Sequence, residues 1–210
     1  MKIFLFFFSL LMLLTGCNDL ATFDKPQPPD SKPLATFPKR LRGSYWGTDH
    51  LSHLFITSGT IIKTYDFKGL IKQLDSTEFE LHQDTLLNKK TNERLKITLS
   101  GDSLSIHFPG IDTLFSISQT NILKRDKGYY FLNSKIGSNE WSVHILSIEK
   151  GLLTIGYIKD SSEIKLLKEL SENTEDSTGY HFSPTQRQFE SFVKQNGFRD
   201  RDTFYRISEH

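Results

Sequence analysis

Short runs of alternating apolar and polar residues dominate the chain from Gly43 to Ile158. Leu95-Lys96-Ile97-Thr98-Leu99, Leu104-Ser105-Ile106-His107-Phe108 and Val143-His144-Ile145 each repeat with period two. That period sends successive side chains to opposite faces of an extended backbone, one toward a core and one toward water. Turn residues separate the runs. Ser100-Gly101-Asp102-Ser103 predicts a hairpin between Leu95–Leu99 and Leu104–Phe108. Glu149-Lys150-Gly151 predicts another between Trp141–Ile148 and Leu152–Ile158. Connections this short force antiparallel pairing. About ten to twelve strands are expected over this stretch.

The period lengthens after residue 160. Ile164, Leu167 and Leu170 share one face of a helix, and Ser171 to Ser177 forms a polar loop. Ser183-Pro184-Thr185-Gln186 predicts a helix start, with Ser183 as cap, Pro184 at the first helical position and Gln186 completing a capping box. Phe189, Phe192 and Val193 form its apolar stripe, and Gly197 ends it as a residue suited to positive φ. Thr203 to Ile207 predicts a last strand. Gly43-Ser44-Tyr45-Trp46 and Gly128-Tyr129-Tyr130-Phe131 hint at an internal repeat. The expected fold is mainly β, an antiparallel meander, sandwich or barrel-like sheet, with one or two C-terminal α-helices.

The start of the chain follows neither period. Lys2 precedes Ile3 to Leu14, twelve residues that are apolar except for Ser9. A helix crossing a bilayer needs about 20 apolar residues. A run of roughly 7–15 behind a positive charge suits the core of an export signal. It closes on Leu14-Thr15-Gly16-Cys17, which resembles the lipobox of bacterial lipoproteins. The resemblance implies a diacylglyceryl group on the Cys17 thiol and cleavage between Gly16 and Cys17. It also implies a fatty acyl chain such as palmitate on the new amine. Asn18 stands where an Asp would resemble an inner-membrane retention signal, so outer-membrane placement is expected.

Five prolines between Pro26 and Pro38 read as an extended spacer. The expected organisation is a signal peptide (1–16), a lipid-anchored Pro-rich tether (17–38) and a single β-rich domain with a C-terminal helix (39–210).

Composition narrows the function. The 210 residues carry 26 Lys+Arg against 25 Asp+Glu, a net charge of +1, which argues against nucleic acid as a partner. One Cys excludes a disulfide framework and a Cys-rich metal site. The seven His residues are dispersed except for His50 and His53, and a strand would point that pair to opposite faces. His82, His107 and His144 fall at positions expected to face solvent. There is no Gly-x-Ser-x-Gly elbow, no phosphate-binding Gly loop and no His-Glu-x-x-His. No catalytic residue, metal ligand or cofactor is therefore assigned. Trp46 and the Glu140-Trp141 pair suggest sugar-stacking corners, against the commoner role of a strand Trp in a core. Arg199, Arg201 and Arg206 alternate with Asp200 and Asp202, which neutralise them. The expected function is that of a lipid-anchored envelope protein acting as a non-catalytic binding or accessory module. Its partners are the membrane, through acyl chains, and another envelope protein or a glycan. A β-barrel carrier of a small apolar ligand and an envelope-polymer hydrolase are the alternatives.

Replacing Cys17 with Ser should release the protein from membranes or leave its precursor uncleaved. Radiolabelled palmitate fed to cells should mark the wild type and not the variant.

Overall fold

The computed structural model describes residues 21–49, 51–92, 94–176 and 179–207, without the side chains of 66–70, 73, 107–110 and 176. Gly16 and Cys17, the expected cleavage and acylation positions, lie outside the described residues.

Among the described residues the fold is mainly antiparallel β with two α-helices. Its strands are β1 (Ala21–Phe23), β2 (Pro33–Leu34), β3 (Gly43–Gly47), β4 (Ser52–Ile56), β5 (Thr60–Leu70), β6 (Phe79–His82), β7 (Thr85–Asn88) and β8 (Arg94–Ser100), followed by β9 (Ser103–Ser116) and β10 (Asn121–Asp126). Then come β11 (Tyr129–Lys135), β12 (Trp141–Glu149), β13 (Leu152–Tyr157), β14 (Asn173–Asp176), β15 (Gly179–Phe182) and β16 (Asp200–Arg206). Helix α1 is Ser161–Leu170 and α2 is Gln186–Lys194. Both expected hairpins form, β8–β9 and β12–β13. The principal path through the sheet is β2-β10-β11-β12-β13-β16-β3-β4-β5-β9-β8-β7-β6. A short branch leaves β12 through β1, which runs parallel to β15.

This path curls into a half-barrel because one set of alternate residues shares a single core. Leu123 of β10, Tyr130 of β11, Leu146 of β12, Leu153 of β13, Phe204 of β16 and Tyr45 of β3 are all buried together with Leu54, Ile61 and Phe115 from the far side. Tyr45 and Tyr130, the equivalent positions of the suspected repeat, point into this same core. The other faces of β11 and β12 are also buried. Phe131, Val143 and Ile145 pack with Phe23, Phe182, Phe189, Phe192 and Phe198 beneath the helices. A smaller core around Leu86, Ile97, Leu104 and Ile106 forms where β5 and β9 extend to meet β6–β8.

Residues 21–38 depart from the expected tether. They belong to the folded domain. Leu34 pairs with Leu123, the Phe37 N–H donates to the Ser58 carbonyl, and Phe37 and Leu41 are fully buried in the barrel core. This segment spans the gap between β10 and the β4–β5 turn. Upstream, the Gln27 amide donates to Asn133 Oδ1 while Asn133 Nδ2 donates to the Gln27 carbonyl at 2.9 Å. Lys124 Nζ donates to the carbonyls of Pro26 (2.8 Å), Pro28 (2.8 Å) and Pro29 (3.2 Å). The Pro28 oxygen also accepts from the Ser31 N–H at 3.3 Å, and the ammonium supplies a charged donor to all three carbonyls. Lys124 is only 5% exposed, and burial pushes its pKa below the ordinary lysine range, with Asp30 opposing.

The C-terminal part also shifts from expectation. Asn173–Asp176 of the expected loop is strand β14, paired with β15. Helix α2 is capped by Thr185 and Gln188, two residues later than Ser183 and Gln186. The two overlapping boxes bury the same stripe, Phe189 and Phe192, and the later one leaves Pro184 outside the helix. Gly197 is not the positive-φ residue; Asn196 and Phe198 are, at 65° and 60°. Glycine is needed there because a Cβ would lie 2.5 Å from the Phe192 ring.

Lys124→Met should cost about 2–4 kcal/mol, because it leaves the buried proline carbonyls without a charged donor. The midpoint of urea unfolding reads this directly. An unchanged midpoint would mean that residues 26–29 are held by something else.

Candidate functional site

The concave face turns polar toward one end of the half-barrel. Two residues beyond the apolar core positions on each strand stand Lys63 after Ile61, Tyr157 after Ile155, Asp202 before Phe204 and His144 before Leu146. These groups meet. Tyr157 donates to Asp202 Oδ2 at 3.1 Å and Lys63 Nζ donates to the same oxygen at 3.3 Å. The ammonium also lies 5.8 Å from the centre of the Phe204 ring and 5.2 Å from that of Tyr65. The His144 ring packs against Tyr157 at 4.8 Å. At the rim Lys159 pairs with Asp200 at 2.9 Å.

Electrostatics commit this cluster to holding charge rather than moving protons. Burial pushes the Tyr157 phenol far above the ordinary tyrosine range, and the Asp202 and Asp200 carboxylates add to the effect. Burial alone would lower Lys63 and is the largest single effect, but the charges of and hydrogen bonds to Asp202 and Tyr65 together exceed it and the net shift is upward. Asp49 is likewise raised by burial, yet the Leu51 and Ser52 N–H groups, the Ser52 hydroxyl and Lys63 bring it below its usual value. A general base must titrate near the working pH. Here the phenol stays a donor, the amine stays an ammonium, and Asp202 Oδ2 accepts from both. The cluster seals the open end of the core. Among the described residues no group of three or more His, Cys, Asp or Glu could hold a metal ion.

The convex face is divided. Helices, β1 and β15 cover it over β11 and β12. Over β13, β16, β3 and β4 none of the apolar cores formed by the described residues covers it, and Trp46 and His53 are half-buried there. Cross-strand register there aligns Leu152, Tyr205, Trp46 and His53 in one row, since Leu152 faces Tyr205, Tyr205 faces Trp46 and Trp46 faces His53. The adjoining row places Ser44 opposite Phe55 and Phe55 opposite Ile62. Trp46 and His53 are in ring contact at 3.6 Å, and Phe55 lies 6.1 Å from His53. Tyr205 is 53% exposed and Phe55 38%. An aromatic row outside every hydrophobic core needs an explanation other than folding.

An open cleft of about 690 Å³ lies between the β10–β11 turn and α2. It is lined by Lys127, Arg187, Lys194 and Arg201 against Asp126 and Glu190, and Lys127 pairs with Glu190 across it.

The residues singled out from the sequence scatter. His50 and His210 lie outside the described residues. His53 joins the aromatic row. His82 is exposed beside Glu80, whereas His144 faces the barrel interior instead of solvent. Trp141 is buried against Phe23, so it is a core residue, and Trp46 is the outward one. Arg199 donates to Ser162 and Arg206 to the carbonyls of Arg40 and Arg42, while Asp202 turns inward to Lys63. Comparison with protein-family models, curated proteins and solved structures finds no match for this chain.

The raised phenol makes stability fall at high pH. Above about pH 10 unfolded tyrosines release their protons while Tyr157 keeps its own, so the stabilisation is complete below that pH and lost above it. Removing that proton difference by Tyr157→Phe should make the fall shallower by about 0.7 kcal/mol per pH unit around pH 10, approaching about 1.4 above pH 11. Chemical unfolding at pH 9 to 11 measures both slopes, and equal slopes would contradict the assignment.

Proposed function

We propose that the protein is a non-catalytic, lipid-anchored component of the bacterial cell envelope that docks a second envelope protein through the bare convex face. The observation that carries this is the row Leu152, Tyr205, Trp46 and His53, with Phe55 beside it, outside all three cores. Tyr and Trp dominate the energetics of protein interfaces because they bury large area at little entropic cost. An aromatic row on an exposed sheet face matches the Tyr- and Trp-rich anchors of protein interfaces. The lipobox-like Leu14-Thr15-Gly16-Cys17 supports the anchor, and Asn18 supports the outer membrane as its location.

Two alternatives lose support. A carrier of an apolar ligand needs room inside the barrel, but Phe37, Tyr45, Phe115, Tyr130 and Phe204 fill that space with their own side chains. A hydrolase needs a group poised to exchange protons, whereas the cluster of Lys63, Tyr157 and Asp202 is internally paired.

Photo-activatable residues placed at Phe55 and Tyr205 in the intact envelope should cross-link one protein, and one placed at Lys90 should not. In the Tyr205 probe, adding Phe55→Glu should weaken the adduct about tenfold, as loss of an interface anchor does. Adducts of equal strength from all three positions, or none from Phe55 and Tyr205, would rule the docking face out.

A further inference from the structure

We infer that the edge formed by β1, β15 and the exposed side of α1 rests on the lipid bilayer. This rests on Cys17 being the anchoring residue. Strand β1 is held on both sides: Phe23 pairs with Trp141 of β12, and Ala21 to Phe23 pair with Tyr180 to Phe182 of β15. Ala21 is buried. The rigid domain therefore begins four residues after Cys17. Four residues reach at most about 14 Å when fully extended. A domain of this size is about 40 Å across. The link is too short for the domain to turn another face to the membrane. The proline-rich segment, which would have supplied distance, is instead folded into the barrel wall.

The chemistry of that edge suits the headgroup region. Tyr180, the register partner of Ala21, carries Lys168 Nζ over its ring at 3.6 Å. Tyr180 joins Ile164, Lys165, Lys168 and Ser161 around an apolar notch of about 260 Å³. Leu166 and Leu170 of the same helix are only partly buried. Tyrosine rings favour the membrane interface, and lysine stems lie along apolar surface while their ammonium groups reach water or phosphate. Lys90 provides the contrast. It is exposed in the β7–β8 connection, and β7 lies nine strand steps from β1 along the sheet.

Cys17 is the only cysteine, so chemistry at its thiol is unique. The chain from Cys17 to His210 is coupled through that thiol to a maleimide phospholipid in phosphatidylethanolamine–phosphatidylglycerol vesicles. Lysines are then acetylated with a water-soluble reagent and read by mass spectrometry, with the uncoupled protein as reference. Lys165 and Lys168 should lose most of their labelling rate on the vesicle, and Lys90 should keep its own. Unchanged labelling at Lys165 and Lys168, or protection of Lys90 instead, would overturn the inference. Because the anchor is supplied chemically, this outcome is separate from palmitate labelling in cells, which tests whether Cys17 is the natural attachment point.

Discussion

One ammonium holds the arrangement of this molecule together. Lys124 sits almost fully buried in a ring of proline carbonyls with no carboxylate in direct contact. A buried charge is costly, and here the cost is offset by three carbonyl oxygens that accept from it. The same lysine belongs to β10, at one rim of the gap in the half-barrel. Fixing residues 26–29 to β10 places Leu34 opposite Leu123 and delivers Phe37 and Leu41 into the core. Without that ring the barrel would lack its closing segment and the N-terminal strand would lack a fixed approach.

The burial of β11 and β12 on both faces explains why the two halves of the convex surface differ. Phe131, Val143 and Ile145 demand a cover, and α1, α2, β1 and β15 provide it. On β16, β3 and β4 the outward positions hold Tyr205, Trp46, His53 and Phe55, and among the described residues neither helix packs over them. The inward positions of those strands are filled in the ordinary way by Phe204, Tyr45 and Leu54. The bare face is thus a property of where the cover ends, and its aromatic character is a choice of residues that folding does not require.

Much of the fold could be read from residue order, because it depends on local signals. Period-two runs located the β8–β9 and β12–β13 hairpins, and the Phe189, Phe192 stripe located α2. What could not be read depends on distance in sequence. Lys63 and Asp202 are 139 positions apart, and Tyr157 and Asp202 are 45 apart. The aromatic row exists only through the registers of three separate strand pairs. The proline-rich segment misled for a related reason. Proline composition reports a stiff extended backbone, which serves equally as a free spacer or as a strap, and the deciding partners, Lys124 and Asn133, lie about a hundred residues downstream. His144 was misplaced because alternation assigns faces only relative to neighbours. Both faces of β12 are covered, so neither was solvent.

A strap in place of a spacer changes what an anchored domain can do. A long linker would let the bare face sample many directions and find a partner at a distance. With β1 built into the sheet, orientation is inherited through paired strands: β1 against β12, then β13, β16 and β3. Each step is a backbone ladder, so Tyr205 and Trp46 stand at a fixed attitude to the residue that would carry the lipid. A partner would have to present its own surface within about one domain diameter of the bilayer, roughly 40 Å. That restriction favours proteins embedded in or attached to the same membrane over polymers further away, because two surfaces held at matched height are already oriented for encounter and lose less freedom on binding.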